Sequence, residues 1–117
     1  MRTIPERDWK LMSSMKSRVL EDACARILKA VESALQMKGR SNYEVYMALW
    51  DLLKKEDASI GIMFDDLKRS TALLKLAAWC RHGLVSESDL ALFSEETRNI
   101  VKAINETLRP RPHSPDA

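Results

Sequence analysis

No proline occurs between positions 6 and 109 of this chain. A proline inside a helix removes a backbone hydrogen bond and clashes with the preceding turn, at a cost of ~3 kcal/mol. A proline-free run of this length can therefore form long helices, and strand-and-turn architectures, which need frequent breakers, are disfavoured. Only three glycines are present, at 39, 61 and 83.

Hydrophobic spacing fills this run with helices. Apolar residues recur three and four apart at Trp9, Met12, Val19, Ala23, Ile27, Ala30 and Ala34, which predicts a first helix from about Pro5 to Met37. Thr3 and Glu6 have capping-box spacing, Pro5 suits a first turn, and Gly39 can end the helix. Ser13–Ser14 is its weakest point. Ser41 and Glu44 form a second box, opening a helix with Tyr43, Tyr46, Met47, Leu49, Trp50 and Leu53 on its apolar face. That helix is expected to end near Lys54–Glu56. A third helix is expected from about Ala58 to His82, stopped by Gly83. Its second half, Ala72–Cys80, is apolar all the way round and predicts the centre of the core. Ser86 with Asp89 predicts a short helix over Glu87–Leu92, and Ser94 caps a last one over Glu95–Leu108.

The expected fold is all-α, a helical bundle of four main helices plus one short helix, the first two forming an antiparallel hairpin. A single domain is expected over 1–108, followed by a disordered, proline-rich C-terminal tail at 109–117. The 117 residues allow one domain, and 45% apolar with 31% charged residues is ordinary globular composition.

Charge narrows the function classes. The net charge is +2, with nine basic residues against five acidic in positions 1–40. Acids interrupt this excess, so it forms no continuous basic stripe. A helix-turn-helix frame around Gly83 offers Glu87, Ser88 and Asp89 to DNA, which repel phosphates and read no base. Cys24 and Cys80 lack zinc and redox spacing and read as buried thiols in a reducing compartment. Arg2, Glu6, Arg7, Asp8 and Lys10 interrupt any signal-peptide run, and no apolar stretch approaches the ~20 residues of a membrane span. A cytoplasmic protein with no membrane partner is the expectation.

No catalytic, cofactor-binding or metal-binding constellation is legible. Lys75 is the single charge in an apolar run. It reads either as a desolvated lysine fit for base chemistry or as a stem lying along the core with its ammonium in water. The second is taken, since no reaction partner can be named. Asp65 and Asp66 diverge by ~100° on a helix and do not converge on an ion. His82 suits a helix C-terminus by its charge alone. The proline motif Pro112–Pro115 reads as part of a frayed terminus.

Lengths leave the N-terminal half of the first helix without a partner in the hairpin, so it needs either the third helix or a second copy of the chain. The second copy is taken, and Trp9, Met12, Met15 and Val19 are expected to form the interface of a homodimer, with another protein partner as the variant reading. The function expected is a self-associating protein-interaction or scaffold role without a cofactor. The alternative is a small nucleic-acid-binding regulator using the basic first helix.

Overall fold

The computed structural model describes residues 3–108. Five helices follow in order: α1 (Glu6–Leu35), α2 (Asn42–Phe64), α3 (Ala72–Arg81), α4 (Glu87–Leu90) and α5 (Glu95–Leu108). No strand occurs among the described residues, so the fold is all-α. The expected tail at 109–117, with its proline motif and His113, lies outside them.

Helix α1 runs unbroken through Ser13–Ser14, where the Ser14 hydroxyl donates to the Leu11 carbonyl at 2.6 Å. The expected Thr3–Glu6 box does not form. Pro5 is the N-cap residue, so Glu6 opens the helix instead of standing three residues inside it. Its carboxylate accepts two hydrogen bonds from Arg69, at 2.9 and 3.0 Å. The same guanidinium lies 5.5 Å from the Trp9 ring centroid. The Ser41–Glu44 box forms in both directions, at 3.1 and 3.2 Å.

The third helix is shorter than its expected span. Helix α2 continues past Lys54–Glu56 to Phe64, because Lys54–Ser59 contains no residue that stops a helix. The break comes at 65–71. Asp65 is extended, and Asp66 turns left-handed at φ 55°, a conformation that asparagine and aspartate tolerate better than most residues. The Thr71 hydroxyl closes the loop by donating to the Asp66 carbonyl and accepting from the Lys68 amide. The last carbonyls of α2 would otherwise lack partners. Lys75 Nζ donates to the Ile62 carbonyl at 2.6 Å and Trp79 Nε1 to the Met63 carbonyl at 3.1 Å.

The core centres on α3. Ala72, Leu76, Ala77 and Trp79 are fully buried, and Trp79 meets Phe64 at 5.6 Å between ring centroids. The segment is not enclosed on every side, since Leu74 is half exposed. Gly83, at φ 69°, ends α3, and the Leu84 amide bonds back to the Trp79 carbonyl. Leu84, Val85, Phe93 and Val101 complete this core with the N-terminal half of α1.

Beyond this body the fold thins. No residue from 24 to 62 is buried. The C-terminal half of α1 and most of α2 form an arm, and the radius of gyration is 17.4 Å, against about 13 Å for a compact chain of this length.

Candidate interaction surface

The residues expected at an interface are held inside the molecule. Met12 and Val19 are fully buried and Met15 is 7% exposed, all in the core cluster. Trp9 is half-buried, packed on that cluster beneath Arg69. This corrects the expectation of a free face there. The partner that this stretch needs is the chain's own C-terminal half. Asp8 ties it to the start of α5, Arg7 donates to the Leu92 carbonyl, and Arg18 pairs with Asp89 at 3.1 Å.

Asp8 is fully buried. Its carboxylate accepts from the Ser94 amide at 3.0 Å and from the Ser94 and Thr97 hydroxyls. Burial pushes the carboxyl up, but the hydrogen bonds from Ser94 and Thr97, helped by Arg7, outweigh it and hold the group below its ordinary range. The result is a negative charge fixed at the N-terminal end of α5, where the helix dipole favours it. Nothing in the sequence beyond Ser94 as a cap pointed to Asp8.

Lys75 is half-buried, and its ammonium donates to the Ile62 carbonyl at the end of α2 at an exposed position. His82 is exposed at the end of α3, and its carbonyl accepts from Arg26, which also reaches the Gly83 carbonyl at 2.7 Å. Asp65 and Asp66 are exposed turn residues, and no cluster of three His, Cys, Asp or Glu side chains able to hold a metal exists among the described residues. Cys24 and Cys80 are unpaired and half-buried, and burial pushes the Cys80 thiol up to about 11 despite neighbouring Arg81. It is therefore a thiol rather than a nucleophilic thiolate at neutral pH. An open cleft of about 790 Å³ between α3, α4 and α5 gathers Arg81, Arg98 and Lys102 with Glu87 and Glu106. It holds no paired nucleophile and base. Among the described residues, no helix is long and apolar enough to cross a membrane. Of the cations on α1, Arg7, Arg18 and Arg26 bind groups of the chain itself, which further divides the basic face.

The arm leaves in water most of the apolar face expected of the second helix. At 100° per residue, α2 has two apolar rows. Val45, Ala48, Leu49, Leu52 and Ile60 are half-buried and form the inward row. Tyr43, Tyr46, Met47, Trp50 and Leu53 lie about 140° away around the helix and are 69, 61, 36, 55 and 42% exposed. On α1 the inward row is Ala23, Ile27, Ala30 and Ala34, while Leu28 and Leu35 are 67 and 60% exposed. A small cleft between the two helices is lined by Ala23 and Ile27 on α1 and by Glu56, Ile60 and Met63 on α2.

In an antiparallel pair, 100° per residue brings these rows to one side. On both helices the exposed row is displaced from the inward row toward increasing angle. In helices of opposite direction that displacement leads to the same side of the pair. Asp8, Met12, Met15, Val19 and Arg26, which pack on or bond to the rest of the chain, are displaced in the other sense, which in such a pair sets the body behind the exposed face. A signal for this was present in the sequence: α2 is apolar over more of its circumference than one neighbouring helix can cover. No family model, curated protein or solved structure matches the chain.

Proposed function

We propose that this chain is a protein-interaction or scaffold protein that makes its contacts through the α1–α2 arm. One observation carries the reading. Tyr46, Trp50, Leu53, Leu28 and Leu35 are exposed on an arm in which no residue from 24 to 62 is buried, and antiparallel helix geometry gathers them on one face. Contiguous exposed apolar surface of this kind marks contact sites, and tryptophan and tyrosine are the residues that dominate interface energetics. The partner surface that fits a two-helix face is helical, docked by its own apolar row. The unpaired Cys24 and Cys80 fit a reducing compartment such as the cytoplasm.

Hydroxyl-radical footprinting tests the reading. The oxidation of Tyr46, Met47 and Trp50 is compared between an extract of the native cells and the purified chain at low nanomolar concentration, where weak contacts dissociate. Protection in the extract is expected at these residues. Equal reactivity in both conditions refutes the arm as a contact surface.

A further inference from the structure

We infer that the occupant of the exposed arm face is a second copy of this chain, with two arms closing into a four-helix bundle in which α1 of each copy crosses α2 of the other. The inference rests on the arm being a contact surface, and adds the partner.

The exposed area suits a dimer of this kind. Taking roughly 150–250 Å² as the full surface of each large apolar residue, Leu28, Leu35, Tyr43, Tyr46, Met47, Trp50 and Leu53 leave roughly 600–1,000 Å² in water. A standard-size interface buries ~800 Å² per partner. One face of one arm therefore matches what a stable dimer requires, and a two-fold axis brings the same face from both copies.

Charge at the rim selects the orientation. On the outer edge of α1 the flanking charges are Glu21 and Glu32, and on the outer edge of α2 it is Lys54; all three side chains are exposed. A two-fold axis along the arm places the α1 edge of one copy over the α2 edge of the other. Glu32 then lies about three residues, ~4.5 Å along the axis, from Lys54 of the partner subunit, and the pair occurs twice. A two-fold axis across the arm stacks α1 on α1 and sets Glu32 against its own copy, which like-charge repulsion disfavours. The first arrangement is also free of obstruction, because the body lies behind the face in each copy. Asp57 and Glu21 bound the apolar area toward the body, and Met37 extends it at the tip, where it is 51% exposed.

The test is sedimentation equilibrium of the full chain from about 1 to 100 μM, the range where a dissociation constant of moderate affinity is read directly. Twice the 13.4 kDa chain mass is expected. Tyr46→Ser with Trp50→Ser should weaken the dimer at least ~100-fold, the scale of two hot-spot residues, with circular dichroism unchanged. Glu32→Lys should weaken it by up to ~10-fold, and adding Lys54→Glu should restore it. A wild-type monomer at 100 μM overturns the inference, and so does a dimer indifferent to the double serine variant. Failure of Lys54→Glu to rescue overturns the crossed arrangement. If the purified chain is monomeric while Trp50 is protected in extract, a different protein occupies the face, and the contact-surface reading survives alone. If Trp50 is unprotected as well, both fall.

Discussion

Replacing Asp8 should destabilise the domain more than any other change of a polar side chain. The carboxylate accepts three hydrogen bonds at a fully buried position, joining the first turn of α1 to the start of α5 across 86 residues of sequence. Hydrogen bonds to a charged group contribute about 1.5–3 kcal/mol each, and the carboxylate's desolvation offsets part of that total. In Asp8→Ala the Ser94 and Thr97 hydroxyls can rotate toward other acceptors, but the Ser94 amide loses its partner. The net loss is about 3 kcal/mol. At ~4 °C per kcal/mol for a chain of this size, the midpoint should fall by about 12 °C. Asp8→Asn keeps the shape and one acceptor, but sets an amide against hydroxyl donors, and should cost about 1.5 kcal/mol.

Thermal and urea unfolding followed by circular dichroism measure both. The native pKa of Asp8 lies below its unfolded value, so its contribution is complete above an unfolded pKa near 4 and is lost as pH falls through the lower native value. The gap between wild type and Asp8→Asn should be level from about pH 8 to 5 and shrink below about pH 4. A loss under 0.5 kcal/mol in Asp8→Ala, or a gap unchanged down to about pH 3, refutes the argument.

Met12→Ala should cost about 2–4 kcal/mol in thermal unfolding, because Met12 fills the monomer core. A variant of unchanged stability but altered sedimentation would return the interface to the N-terminal half of α1. Lys75→Met, which removes the donor to the Ile62 carbonyl, should lower stability by about 1 kcal/mol in urea titration; no loss would mean that water caps that carbonyl equally well. Gly83→Ala, at φ 69°, should cost about 1–2 kcal/mol. Gly61→Ala, inside α2, should instead gain about 0.5 kcal/mol, with the Asp65 carboxylate yielding to a new Cβ that would lie 3.0 Å from it. Opposite signs at these two glycines, read from melting curves, check the helix boundaries directly.

Much of the local structure was legible because it depends on near neighbours. The absence of proline and the three- and four-residue spacing define helices, and Ser41 with Glu44, Ser86 before the Asp89 amide, and Ser94 before the Thr97 amide mark starts that local hydrogen bonds stabilise. The burial of Leu76 and Trp79 follows from a run too apolar to face water. Residues distant in sequence decided the rest. Glu6 left its expected cap for Arg69, and the end of α2 is finished by Lys75 and Trp79, which donate to its Ile62 and Met63 carbonyls. Periodicity marks which residues share a face but carries no label for what that face meets. The row at Tyr46 and Trp50 and the row at Met12 and Val19 look alike as patterns. Only the three-dimensional path of the chain covers one with α3 and α5 and leaves the other in water, since burial is settled by the packing of distant segments.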